Sequence, residues 1–177
     1  MKILALAVAA ALGSFPAAAQ HGAHDSHGHA QPSPYAGQQS RDIKALSESE
    51  EKDLLSGAGM GMAKAAELNR YPGPSHALEL ADRISLSPKQ REELGALMQR
   101  HKAQARKLGE RVVALERELD ALFAKRGPTA AEVERLSLAI GEAQGRLRAE
   151  HLRTHLETTA LLTPAQVDRY VEARGYR

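Results

Sequence analysis

Two stripes of apolar residues, one on each side of a short break, constrain this chain more than anything else in it. The first is Leu94, Met98, His101, Ala105, Leu108, Val112, Leu115, Leu119 and Leu122, in alternating steps of four and three. That spacing keeps one face of an α-helix against another helix. Arg126-Gly127-Pro128-Thr129 then breaks the pattern, because Gly and Pro end one helix and open the next. The second stripe is Val133, Leu136, Ile140, Ala143, Leu147 and Leu161. Folded back, Leu122 meets Val133, Leu119 meets Leu136, Leu115 meets Ile140, Val112 meets Ala143, Leu108 meets Leu147 and Leu94 meets Leu161. In every pair the residue numbers add to the same total, so one antiparallel register satisfies all of them. Residues 88–161 therefore read as a hairpin of two helices, each roughly 50 Å long at 1.5 Å per residue. A hairpin of that length needs other helices, or a second subunit, to cover its apolar faces.

Composition agrees with an all-α, elongated antiparallel hairpin with short flanking helices. Aromatic residues are only 3% of the chain and Trp is absent, which favours a thin Leu/Ala layer over a core built on large rings. No alternating β-branched run signals a strand. The net charge of +2 does not point to nucleic acid. The absence of Cys excludes disulfides, thiol catalysis, Cys-zinc sites and a lipid-anchored N-terminal Cys.

Met1–Ala19 has the marks of a secretory signal peptide. Lys2 is the basic start, Ile3–Leu12 the apolar stretch, and Ala17-Ala18-Ala19 a cleavage site before Gln20. The apolar stretch is too short to span a bilayer, so the expected mature protein is exported, with no membrane span. Residues 20–40 are rich in His, Gly, Pro, Ser and Gln and predict a disordered linker. His21, His24, His27 and His29 lie in it, a flexible tract able to hold Zn, Ni or Cu weakly, or simply a solvated tether.

Residues 41–73 predict a short helical extension. Ser47-x-x-Glu50 is a capping box opening a helix over 48–55. Gly57, Gly59 and Gly61 interrupt it, without the preceding strand that a phosphate loop needs. Met60 and Met62 are soft donors that suit copper, although Met more often fills gaps in a core. A second short helix is expected over 63–69 and a third over 76–84.

Two pentads bracket the hairpin: Leu86-Ser87-Pro88-Lys89-Gln90 and Leu162-Thr163-Pro164-Ala165-Gln166. Each places Ser or Thr at an N-cap, Pro at the first helical position and Gln where it closes a capping box. The paired pentads make the chain resemble the Spy/CpxP family, periplasmic proteins with a repeated LTxxQ motif. Leu86, Ser87 and Gln90 match it with Ser for Thr, and Leu162, Thr163 and Gln166 match it fully. The resemblance covers roughly residues 74–174, within a hairpin domain spanning 74–177. It implies a four-helix protomer that dimerises into a curved cradle, acting as an ATP-independent chaperone, a stress regulator, or a heavy-metal sensor or resistance protein. The implied partners are a second copy, unfolded periplasmic proteins or a metal-responsive signalling partner.

Two sets of residues could carry such a function. Arg100, Lys102, Arg106, Lys107 and Arg111 form a cationic cluster on the first arm, suited to acidic unfolded clients. His151 and His155, four apart on the second arm, share a helix face, and the hairpin register sets His101 level with Thr154, between them. These three imidazoles predict a site for Zn, Ni or Cu, with His76 a weaker fourth ligand. It is not a zinc-protease site, because Leu152 stands where the general base would be. No catalytic set is evident. The expected protein is a non-catalytic periplasmic stress protein that binds unfolded clients or, alternatively, senses or buffers Zn, Ni or Cu, and it requires no cofactor.

Overall fold

A computed structural model describes residues 32–176. The predicted signal peptide and the histidines His21, His24, His27 and His29 lie outside the described residues. The chain divides into two units, 1–34 and 35–177, and the helices among the described residues belong to the second. After a 3-10 turn at Gln38–Ser40, it consists of α1 (Glu48–Ser56), α2 (Lys64–Glu67), α3 (Pro74–Glu79), α4 (Pro88–Ala124), α5 (Ala130–Leu161) and α6 (Pro164–Arg174). No strand occurs among the described residues. The two long helices and the last one follow the sequence reading. The third short helix is displaced: it begins at Pro74 and stops at Glu79, because the chain must turn back before the next N-cap. That reversal runs through Ser85, which adopts a left-handed φ of 55°, and is closed by Leu86 N–H donating to the Ala81 carbonyl.

Helices α1, α4, α5 and α6 each begin with a capping box. Two of the boxes close with Glu and two with Gln, and the difference has a structural cause. Glu50 and Glu132 face solvent, and hydrogen bonds from Ser47 and Thr129 hold their carboxyls below the usual range. Gln90 and Gln166 face each other. Each side-chain oxygen accepts its own N-cap N–H, from Ser87 at 3.0 Å and Thr163 at 2.9 Å. Each side-chain nitrogen then donates across the junction: Gln90 to the Leu161 carbonyl and Gln166 to the Ser85 carbonyl, at 2.8 and 3.0 Å. The two amides also bond each other at 2.8–2.9 Å. A carboxylate could close the cap but could not donate, so this junction requires an amide.

The hairpin core has two parts. A distal cluster joins Ala105, Val112, Val113 and Leu115 of α4 to Leu136, Ile140, Ala143 and Leu147 of α5, with Ile43 and Leu54 added from the N-terminal segment. A proximal cluster joins Leu94 and Leu97 of α4 to Ala77, Ile84, Leu86, Leu162, Val167 and Tyr170. The segment before α4 thus covers one side of the hairpin within the same chain. It sits very close: a methyl group added at Gly109 would lie 2.1 Å from the Leu54 carbonyl oxygen. Lys44–Asp120 at 3.2 Å and Arg117–Glu51 at 2.9 Å flank the contact. On α4 the buried seam passes through Leu97 and leaves Met98 only half-buried, a local departure from the four-three rhythm.

The amide junction yields a direct prediction. Gln166→Glu keeps the Thr163 cap but deletes two donor bonds in a buried position, and should cost roughly 3 kcal/mol. Glu50→Gln, in an exposed box, should stay within about 0.5 kcal/mol. Urea denaturation at neutral pH measures both, and equal effects would contradict the role given to the junction.

Candidate metal centre

Between the two apolar clusters the hairpin seam turns polar. His101, His151, Thr154 and Thr158 are all buried there. The threonine hydroxyls donate to carbonyls four residues back, Thr154 to Glu150 at 2.9 Å and Thr158 to Thr154 at 2.8 Å, which satisfies their donors within the helix. A cavity of about 620 Å³ opens against this layer, lined by Glu67, His76, Met98, His101, His151 and His155 among others.

The hydrogen bonds set where each imidazole carries its proton. Thr154 Oγ1 lies 2.9 Å from His101 Nδ1 and has already donated its hydrogen to Glu150. The Glu150 carboxylate stands 3.3 Å from the same nitrogen. Both are acceptors, so in the neutral ring Nδ1 carries the hydrogen and Nε2 keeps its lone pair. His155 follows the same rule: its Nδ1 donates to the Tyr71 carbonyl at 2.7 Å. Gly73 lets the chain pass close beside the ring, where an added methyl group would come within 2.8 Å of Nε2. A carboxylate or carbonyl holding the far nitrogen is the arrangement that orients metal-ligating histidines.

His151 packs edge-on to His101, with ring centroids 4.7 Å apart. Its Nε2 is buried with no hydrogen-bond partner. Burial, followed by the neighbouring His101, lowers its pKa from 6.5 to about 4. The ring is therefore neutral at pH 7, the form that binds metal.

Glu67 is the site residue that sequence reasoning misses. Its Oε1 accepts from the Tyr170 hydroxyl at 2.5 Å and from the Tyr176 hydroxyl at 3.2 Å. His76 Nδ1 and His155 Nδ1 lie 3.6 Å from its two oxygens, and Oε2 is buried without a hydrogen-bond partner. Burial, then this carboxylate, pushes the Tyr170 phenol well above its usual pKa. The four folded histidines thus divide into His101 with His151, and His76 with His155 around Glu67. Among the described residues no three His, Asp or Glu side chains meet as a ready-made metal-binding group. The His155 ring is held instead by the Tyr71 carbonyl. Nothing in the local sequence around Glu67 marks it; the signal is tertiary, since α2 lies far from α5 and α6 along the chain.

The cationic cluster divides as well. Arg100, Lys107 and Arg111 recur at seven- and four-residue steps along one side of α4, whereas Lys102 and Arg106 lie about half a turn away. All five are exposed, and Arg106 Nε donates to the Ser56 carbonyl at 3.3 Å. The pentad residues serve the helix junction: Leu86 and Leu162 are buried in the proximal cluster, and Ser87, Thr163, Gln90 and Gln166 form the caps.

Residues 53–169, from within α1 into α6, match the family described as heavy-metal resistance. The chain belongs to that family. No curated protein and no solved structure matches it. The match takes in both long helices and every histidine of the cavity. It also begins ahead of residue 74, so part of the N-terminal extension falls within the family domain. Among the described residues no helix is long and apolar enough to cross a membrane.

The buried layer makes stability depend on pH. His151 titrates near 6.5 when unfolded and near 4 when folded. Between those values the unfolded chain binds more protons, so its stabilising contribution is complete above about 6.5 and falls as pH drops towards 4. Thermal melts should show a midpoint falling across that window, and His151→Leu should flatten the fall. A variant profile as steep as that of the parent would contradict this.

Proposed function

We propose that this protein is an exported, non-catalytic member of the heavy-metal resistance family that binds a borderline metal ion, Zn, Ni or Cu, in the cavity between its two apolar clusters. The observation that carries the reading is the state of the imidazoles. His101 and His155 each have Nδ1 engaged and Nε2 free, and His151 buries a neutral ring with an unpartnered Nε2. Burying such groups is unfavourable in the apo protein, and a metal ion that accepts their lone pairs offsets that cost. Binding draws the ligands together by rotation of side chains within the cavity, with His76 and Glu67 available to complete the set. The protein then acts as a periplasmic metal buffer or sensor, with cleavage after Ala19 and a 20–40 linker whose His21, His24, His27 and His29 supply weaker, adaptable sites.

A second reading, a Spy/CpxP-type chaperone, draws on the surface. Arg100, Lys107 and Arg111 stand exposed on α4 with no ion pair among the described residues. The exposed face of α5 carries Leu138, Gly145, Ala149 and Leu156 in a helical stripe, with Leu138 at 69% exposure and Leu156 at 55%. Such a stripe suits the homodimer that the resemblance implies.

The test is metal titration of the chain from Gln20 with His21, His24, His27 and His29 replaced by Ala. One defined Zn or Ni site should remain, weakened at least tenfold by His151→Ala, His155→Ala or His101→Ala. Absence of a site, or indifference to all three substitutions, would reject the metal reading. Aggregation suppression that ignores these substitutions but is lost on charge reversal at Arg106, Lys107 and Arg111 would move the function to the cationic surface.

A further inference from the structure

The cavity is not chemically uniform. Around Glu67, His76 and His155 it offers nitrogen and oxygen. The same cavity is also lined by His101 and His151 and by two thioethers, Met98 and Met60. Met98 lies three residues before His101, on a neighbouring part of the same helix face. The four-three rhythm would bury it in the seam, yet Leu97 takes that place and Met98 is left half-buried at the cavity.

Met60 is the more unusual residue. It has a left-handed backbone, with φ at 46°, in a loop where Gly59 and Gly61 stand on either side to adopt such a conformation without strain. Its side chain is 40% exposed, whereas Met62, two residues on, packs against the distal cluster. Folding gains little from a methionine held this way. Strain of this kind in a residue beside a cavity points to a use there. Independently, His151, which lines the same cavity, buries an Nε2 with no hydrogen-bond partner.

Thioethers with neutral imidazoles make a soft donor set, which selects monovalent copper over Zn or Ni. We infer that Met98, His101 and His151, closed by Met60, form a subsite for Cu(I). This rests on the metal-binding reading above and deepens it by adding a selectivity device. Coordination alone is involved. The ion enters as Cu(I), the thioethers have no proton to lose, and no oxidant or reductant takes part.

The test uses the chain from Gln20 with the four linker histidines replaced by Ala, under anaerobic conditions. Cu(I) affinity is read by competition with bathocuproine disulfonate and Zn affinity by competition with a chromophoric chelator. Leu is close to Met in volume and lacks the sulfur, so Met98→Leu and Met60→Leu probe the donors directly. Met98→Leu should weaken Cu(I) binding at least tenfold and Met60→Leu several-fold, with Zn affinity held within twofold. In the parent protein Ag(I), a redox-inert stand-in for Cu(I), should shift the methyl resonances of Met98 and Met60 and leave Met62 in place. Unchanged Cu(I) affinity in both variants, a parallel loss of Zn binding, or Ag(I) shifts confined to Met62 would overturn the subsite. Failure of the parent to bind either metal would overturn the metal reading along with it.

Discussion

Gln90 and Gln166 tie the base of the hairpin together, and the matched apolar stripes carry the register onward from that tie. Each amide closes its own helix cap and donates across to the other pentad. The start of α4, the end of α5 and the start of α6 are thereby held at one point. From there the long helices run in the alignment that brings His101 against Thr154, at 2.9 Å. Capping boxes elsewhere in the chain use Glu and are exposed; these two use Gln because a donor is needed on the far side. A motif that sequence presents as a helix-start signal is, in the fold, a three-helix junction.

That register places a polar layer where a hairpin would otherwise bury leucine. His101, His151, Thr154 and Thr158 separate two apolar clusters, and such a layer is a cost to stability unless its groups find partners. The threonines find theirs in the preceding helical turn. The histidines are only half provided for: Nδ1 of His101 is held by Thr154 and Glu150, and Nε2 of His151 has nothing. The N-terminal segment completes the enclosure, with Tyr71–Pro74 crossing His155 and the glycine loop before α2 bringing Met60 to the rim. A fold that covers its own seam, yet leaves a buried imidazole nitrogen unpartnered in a residue that lines a cavity, supports the metal-binding reading without invoking a catalytic step.

The hairpin was legible because its evidence is one-dimensional. Residue spacing sets helix faces, and matching stripes set the register, so the level of His101 with Thr154 could be read from numbers alone. The same arithmetic brought His151 inward and His155 to its flank. It could not say which way each ring turns, because that depends on the Tyr71 carbonyl and on Gly73, which reach His155 from a segment far away in the chain. Glu67 was invisible for a similar reason: its partners, Tyr170 and Tyr176, His76, and His155, come from three separate stretches. Met98 was misplaced by one helical position, since the four-three rhythm does not reveal where the seam turns to Leu97.

The central claim is that the layer's histidines are set, in the apo protein, to offer Nε2 to a metal ion. Long-range proton–nitrogen correlation spectra of the histidine side chains test it directly, on metal-free protein near pH 7.5 and again with one equivalent of Zn. The account predicts the Nδ1–H tautomer for His101 and His155 before metal, and movement of their Nε2 signals, and that of His151, upon addition. Nε2–H tautomers at His101 and His155, with all three rings unmoved by Zn, would contradict it.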